Sequence, residues 1–309
     1  VLHPAIRLRH LTSFVEVARS GSVGRAAAAL SISQPAVSKT MRELEAILAV
    51  SLFDRSKRGA ALTPFGAIFL RHAEVGLAAL RRGVEEMGEA AAPNARPVRI
   101  GALPTVSARL LPRAVGRYMG EGLGASPRIV TGPNDVLMRQ LREGALDLVV
   151  GRMGEAAEMI DLAFEHLYSE RIVLVARPNH PLVEAALFDA GQLRHYEMLL
   201  PPPGSVIRPT VDRLVLSARL PRPRGVVETV SLAFGRAYVR ASDAVWLISE
   251  GVVLADLKDG TLRALPIDNA ETLGPVGITM RVAAEPAPAV ASFLAQLRAA
   301  AGVIREGGG

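Results

Sequence analysis

The sequence predicts an all-α winged helix-turn-helix at the N-terminus, a linker helix, and a C-terminal α/β domain. Three observations lead there. Residues 22–48 hold two short helical patterns joined by a three-residue polar turn, Ser31-Ile-Ser33. Residues 90–97, Ala-Ala-Ala-Pro-Asn-Ala-Arg-Pro, break the helical rhythm before them and read as a hinge. From Val98 onward, short apolar runs alternate with helical patterns, as in parallel α/β units.

Residues 8–19 form the first helix, with Leu11, Phe14, Val15 and Ala18 apolar at helical spacing. They complete a three-helix core with the two helices that follow. Ser22 can cap the second helix and Ser33 the third. Pro35 stands in the first turn of the third helix, where its missing N–H costs nothing. Val37, Met41, Leu44 and Leu48 make one apolar stripe along that helix. Gln34, Ser38 and Arg42 share another face, with Lys39 beside them. Gln suits an adenine edge, Arg a guanine edge and Ser either, and a docked recognition helix reads bases with its N-terminal residues. The plainer reading of the same face is an ordinary solvated surface. Arg55, Lys57 and Arg58 then crowd a short loop that ends at Gly59, which suits a wing touching phosphate.

Thr63-Pro64 opens the linker helix with a cap and a proline. Leu70, Ala73, Leu77, Leu80, Val84 and Met87 follow at spacings of three and four, an a/d seam that predicts pairing with another helix. Leu70, Leu77, Leu80 and Val84 are its candidate dimerisation residues. Gly76 and Gly83 weaken the pattern, and packing on its own domain is the alternative. Beyond the hinge the expected strands are 98–102, 128–131, 146–151, 172–177, 198–200, 226–228, 245–248, 262–265 and 276–281. The expected helices are 110–119, 136–143 and 289–301.

The chain of 309 residues, half of them apolar, has room for two or three domains with sizeable cores. It has no cysteine, so disulfides and thiolate metal sites are excluded and a reducing compartment fits. No export pattern and no run of 18 apolar residues occurs, so the expectation is a cytoplasmic protein without a membrane partner. Of the net charge of +6, all resides in residues 1–72, where ten Lys/Arg stand against four Asp/Glu. A basic block beside a neutral remainder points to a polyanion partner at one end.

No enzyme motif emerges. The six histidines show no His-Glu-x-x-His spacing, and there is neither a phosphate loop nor a Gly-x-Ser-x-Gly elbow. The run Gly120-Glu-Gly122-Leu-Gly-Ala125 precedes a strand instead of following one, so it reads as a loop and not a dinucleotide site. No catalytic residue, metal or cofactor is expected. Ligand-binding loops are better marked. Pro104, Thr105, Val106 and Ser107 follow the first strand, Asn134 the second, Gly204 and Ser205 a later one, and Thr229 another. In open α/β sheets ligands sit off the carboxyl ends of strands, and such loops present N–H groups and hydroxyls to an anion. Any one loop alone reads as a helix cap. Four together, with Arg152 and Arg208, favour a carboxylate pocket.

The N-terminal block resembles the LysR-type transcriptional regulators. The resemblance rests on Leu11-Thr-Ser-Phe14, Ser20-Gly-Ser22, Arg25-Ala-Ala27, Ser33-Gln-Pro-Ala-Val-Ser38, Leu44-Glu45, Leu52-Phe-Asp-Arg55 and Leu62-Thr-Pro-x-Gly66. It implies a winged helix-turn-helix in 1–63, a dimerising linker helix in 64–92 and an effector-binding domain in 93–309. That domain would be two-lobed and periplasmic-binding-protein-like, with lobe I in 97–171 and 272–309 and lobe II in 172–271. The effector would lie between the lobes near Thr105 and Ser205. The expected partners are an interrupted DNA palindrome, a second copy of the chain in a dimer or tetramer, and RNA polymerase.

A narrower resemblance runs through Val98–Ser107, Phe164–Glu170, Ser205–Pro209, Glu228–Ser231, Ser242–Val252 and Gly274–Gly277. It is to the branch of that family that activates protocatechuate degradation, and it implies an acyclic di- or tricarboxylate effector such as carboxy-cis,cis-muconate. The Pro-rich stretches Pro201–Pro203 and Leu220–Pro223 depart from that branch at the pocket rim. The rival expectation is a two-lobed solute-binding module or enzyme with an N-terminal attachment.

Overall fold

The computed structural model describes residues 3–54, 59–90, 97–122, 125–155, 159–282 and 285–306, with residues 82 and 85–90 described by their backbone. The chain divides into two compact units, Val1–Ala91 with Arg142–Ala145, and Ala92–Leu141 with Leu146–Gly309.

The first unit contains helices α1 (Leu8–Ser20), α2 (Val23–Ala29), α3 (Gln34–Leu48) and α4 (Pro64–Ala90). Gly21 ends α1 in the left-handed region, which lets the chain turn at once into the Ser22 cap of α2. The Ser22 hydroxyl accepts the Arg25 N–H, and the Ser33 hydroxyl accepts the Ala36 N–H, so both expected caps form. Phe14 sits at the centre, with its ring 5.4 Å from that of Phe53 and 5.2 Å from that of Phe69. Val37, Met41 and Leu44 of the predicted stripe bury beside it. Each such side chain removed from water stabilises the fold by about 1.5–3 kcal/mol.

Phe53 and Leu62 pair as an antiparallel bridge, and the Asp54 N–H donates to Ala61 O at 2.8 Å, so the stem of a two-stranded wing is in place. Its tip, with Arg55, Lys57 and Arg58, lies outside the described residues. Thr63 caps α4 by accepting the Gly66 N–H at 3.0 Å. Along α4, Leu77 is 5% exposed in the single chain, whereas Leu80 is 58% and Val84 73% exposed. The seam therefore divides. Leu77 is covered by its own chain, and Leu80 and Val84 stand open. The side chain of Met87 and most of the hinge, residues 91–96, lie outside the described residues.

The second unit is built on two five-stranded sheets. The first has the order β2-β1-β3-β10-β4, from β1 (Val98–Ala102), β2 (Pro127–Thr131), β3 (Leu148–Arg152), β4 (Leu162–Glu170) and β10 (Gly274–Arg281). The second has the order β7-β6-β8-β5-β9, from β5 (Ile172–Ala176), β6 (Glu197–Leu200), β7 (Gly225–Glu228), β8 (Val245–Ser249) and β9 (Arg263–Leu265). Helices α5 (Pro104–Ser107), α6 (Leu110–Gly120), α7 (Asn134–Arg142) and α12 (Pro288–Glu306) belong to the first sheet. Helices α8 (Pro181–Glu184), α9 (Arg208–Ser217), α10 (Leu232–Ala241) and α11 (Glu250–Lys258) come from the second half of the chain. Strands β1, β2 and β3 are parallel, as are β6, β7 and β8, while β10 and β5 run antiparallel to their neighbours.

The chain leaves the first sheet through Arg171 alone and returns through a 3-10 turn, Ala270–Thr272. The two passages are laced together. The Asn269 side-chain amide donates to Ile172 O at 2.7 Å, the Ile172 N–H donates to the Thr272 hydroxyl at 2.9 Å, and that hydroxyl donates to Asn269 O at 2.7 Å. Such a pair of short, hydrogen-bonded passages joins two separately cored sheets while leaving a cleft between them.

Candidate functional site

Two arrangements in the chain fit a ligand, one in each unit. On α3, Gln34, Pro35, Lys39 and Arg42 are exposed and Ser38 is half-buried. Arg42 Nε donates to Ser38 O at 3.3 Å, which holds the guanidinium stem along the helix with its tip outward. Ser33 uses its oxygen in the cap, and its hydroxyl proton stays available to a phosphate. Lys39 approaches Glu43 at 4.0 Å, an exposed pair worth little.

Two braces hold α3 that sequence reasoning did not single out. Glu45 Oε1 accepts the N–H groups of Leu52, at 2.8 Å, and Phe53, at 3.3 Å, tying the helix to the stem of the wing. His10, 2% exposed, accepts the Arg7 N–H at Nδ1 and faces Glu43 with Nε2 at 3.4 Å. That hydrogen bond, with Arg9 beside it, holds the Glu43 carboxyl below the usual carboxylate range. The signal for Glu45 was its place inside an apolar helix stripe, where an acid needs a partner.

The second arrangement is a cavity of about 520 Å³ in the cleft between the two sheets of the second unit. Of the candidate effector residues, Pro104, Thr105, Asn134, Arg152, Gly204, Ser205 and Thr229 line it. Most of the remaining wall is apolar, from Leu103, Pro201, Pro202, Val206, Ile207, Leu232, Trp246 and Ile248. Thr105 is 5% exposed and its hydroxyl has no partner among the described residues. Arg152 is 6% exposed, its Nη2 donates to Thr272 O at 2.5 Å, and its Nη1 has no partner among the described residues. Burial pulls the Arg152 guanidinium below its usual value, Glu170 pulls it back up, and Arg213 opposes it. Two buried donors without acceptors among the described residues, both on residues that line one cavity, make a place for an anion.

Three candidates fall elsewhere. Helix α5 is a single turn, so Val106, one residue past Thr105, rotates into the core and is fully buried. The Ser107 hydroxyl donates back to Leu103 O at 3.3 Å. Arg208 is taken up by Asp212, Glu228 and Pro201 O, each at 2.8 Å. The i+4 acid on its own helix and an acid from β7 raise its proton affinity and leave it outside the cavity wall. The Trp246 indole, 1% exposed and with its N–H unpartnered, was not anticipated as a wall residue. Of the loose glycine run, Leu123 and Gly124 lie outside the described residues. Among the described residues no helix is long and apolar enough to cross a membrane.

Both parts of the chain match known proteins. Residues 8–67 match the family described as bacterial regulatory helix-turn-helix protein, lysR family, and residues 91–302 match the LysR substrate binding domain. The HTH-type transcriptional regulator PcaQ of Agrobacterium fabrum is 47% identical over 302 residues, 98% of this chain and 97% of that protein. The uncharacterized HTH-type transcriptional regulator YdcI of Escherichia coli is 37% identical over 277 residues, 90% of each chain. Among solved structures, CbnR, a LysR family transcriptional regulator, aligns with a TM-score of 0.60 at 23% identity, covering 96% of this chain and 99% of its own. These relatives are transcriptional regulators and not enzymes, so a solute-binding module or enzyme with an N-terminal attachment is not favoured.

Proposed function

The chain belongs to the LysR family of DNA-binding transcriptional regulators, and from that premise we propose that it activates genes of aromatic-acid catabolism in response to a carboxylate. The observation that carries the carboxylate is the pair of unpartnered buried donors, Thr105 Oγ1 and Arg152 Nη1, on the cavity wall. Similarity to PcaQ supports a protocatechuate-pathway acid, with carboxy-cis,cis-muconate the first candidate. One of its carboxylates would meet Arg152 and Thr105, and its carbon chain would lie on Trp246 and the prolines.

Trp246 is the single tryptophan of the chain and lines the cavity, so intrinsic fluorescence reports directly on effector binding. Thr105→Val keeps the shape and the β-branch but removes the donor. A hydrogen bond to a charged group contributes about 1.5–3 kcal/mol, so fluorescence titration with carboxy-cis,cis-muconate should show about ten- to hundredfold weaker binding. Equal affinity in the two proteins would remove Thr105 from the site, and no binding of any pathway acid to the wild type would remove the effector class.

At the other end, Gln34, Ser38 and Arg42 are proposed to read bases of an interrupted palindrome, with Lys39 beside them and Ser33 and Pro35 seating the helix. Arg55, Lys57 and Arg58 would hold phosphate, and activation implies contact with RNA polymerase. Arg42→Ala should lose about 1–3 kcal/mol of operator affinity and relax specificity at one base pair, while Lys57→Ala should weaken all sequences alike. Gel-shift on the operator and its single-base variants separates the two effects, and unchanged specificity in Arg42→Ala would move base reading off this face.

A further inference from the structure

A buried carboxylate lies behind the effector cavity. Glu170 ends β4 and is 3% exposed, and among the described residues only the Ser249 hydroxyl is placed to donate to its carboxylate. Groups from several elements face it: Arg152 from β3, Arg109 ahead of α6, Ser249 at the end of β8, and Glu250 at the start of α11. Tyr168, on its own strand, lies under the Arg109 guanidinium at 5.8 Å from the ring centre. The α11 backbone closes on the carboxylate, since a Cβ added at Gly251 would lie 2.5 Å from Oε2. On the far side, the backbone at Gly274 presses so closely on the Arg152 guanidinium that no Cβ fits there either. Arg152 is thus held between Glu170 and the cavity, with Nη2 on the Thr272 carbonyl and Nη1 without a partner.

We propose that Glu170 sets the anion selectivity of the cavity: in the free protein it balances the charge of Arg152, and it surrenders that charge by taking up one proton when a carboxylate binds. The proposal rests on the reading of the cavity as a carboxylate site. A buried carboxylate with so few hydrogen bonds stays ionised mainly through nearby positive charge. Here burial pushes Glu170 up to about 7, and Arg152 is the largest influence in the other direction, ahead of Ser249 and Arg109, while Glu250 adds to the rise. A second carboxylate at Arg152 shares the guanidinium that Glu170 depends on, and two carboxylates at one buried cation repel each other. An incoming carboxylate accepts hydrogen bonds from Arg152 and Thr105, whereas Glu170 has only the Ser249 hydroxyl and is already pushed up by burial, so Glu170 is the group that neutralises.

The sign follows from linkage. If the complex binds a proton that the free protein lacks, affinity falls as pH rises above the free value of Glu170, and it levels off below that value. Binding should weaken about fivefold from pH 7 to pH 8, with tenfold per pH unit as the limit. A neutral ligand leaves the Arg152–Glu170 balance undisturbed and exchanges no proton.

The test is calorimetric titration of the full chain with carboxy-cis,cis-muconate and with protocatechuate, near pH 7.5, in two buffers of different ionisation enthalpy. Wild type should take up about 0.5–0.8 proton per ligand bound. Glu170→Gln, neutral at every pH, should take up none, should lose the pH dependence, and should bind at least as tightly as wild type at the alkaline end. A residue that only supports the fold would lower affinity at every pH. Binding to wild type without proton uptake, or the same uptake in Glu170→Gln, would overturn this proposal and leave the carboxylate reading intact. If neither acid binds wild type, both readings fall. Should Glu170→Gln fail to fold, the proton number of wild type decides alone.

Discussion

Arg152→Met loses effector binding by about a hundredfold or more in fluorescence titration, and operator affinity in gel-shift stays at the wild-type level. The magnitude comes from the surroundings of the guanidinium. Arg152 is almost fully buried, so the bond its free Nη1 makes to a carboxylate forms out of water. Truncating one partner of such a buried charged pair costs about 2–5 kcal/mol. Methionine fills most of the lost volume with flexible apolar atoms, so a cavity contributes little to the loss. Glu170, deprived of the cation that kept it ionised, protonates near neutral pH, which limits the damage to the fold. The Thr272 carbonyl also loses its Nη2 donor, so a modest fall in melting temperature accompanies the change. Operator binding is spared because the reading helix lies in the other compact unit. Effector affinity within threefold of wild type would take Arg152 out of the site.

The contrast between Arg152 and Arg208 shows how far the sequence could be read. Both stood at the ends of strands or starts of helices, and both were candidates for the anion. What separates them is pairing across sequence distance. Arg208 meets Glu228, twenty residues on at the end of the next element, whereas Arg152 meets a backbone carbonyl 120 residues on and keeps one nitrogen without a partner among the described residues. Neither relation leaves a trace in local spacing. The same holds for Glu170, whose oddness lies in what surrounds it.

Local chemistry was more legible. The caps at Ser22 and Ser33, the stripe of Val37, Met41 and Leu44, and nine of the ten strands in the second unit were visible as capping residues and apolar runs. Strand β4 was not, because Leu162–Glu170 mixes Glu, His and Ser with its apolar residues and lacks clean alternation. Its pairing with β10 along eight residues, from Gly274 with Glu170 to Arg281 with Leu162, supplies what the side-chain pattern does not. The antiparallel direction of β5 and β10 was equally hidden, since a run of apolar residues does not reveal which way its neighbours point. The loops told their position, at the carboxyl ends of strands, but not their reach. Pro104 and Thr105 meet the cavity and Val106 and Ser107 do not, because one helical turn rotates them away.

The dimer seam of α4 makes the other large expected effect, and the burial along the helix decides where to test it. A charge at Leu77 would probe packing within the chain, because that side chain is already covered. Leu80 and Val84, one turn apart and more than half exposed, are the positions that a second copy would cover. Phe65, Ile68 and Val75 on the same helix are also 45% or more exposed, but Ile68 and Val75 stand on the opposite side from Val84. The double variant Leu80→Asp, Val84→Asp costs an isolated chain little, because both positions face water there. In a helix pair each carboxylate would be buried without a partner, at a cost of several kcal/mol. Sedimentation should therefore show a smaller species at the concentration where wild type is an oligomer, with an unchanged circular dichroism spectrum. Operator binding should fall further than for any single base contact. Joining two half-site readers in one particle raises overall affinity by about 10²–10⁴, and separating them forfeits that gain. The loss should appear on the full palindrome and be absent on an isolated half-site, which an unfolded or poorly seated reading helix could not imitate. An unchanged sedimentation coefficient with unchanged operator affinity would mean that Leu80 and Val84 face no second chain.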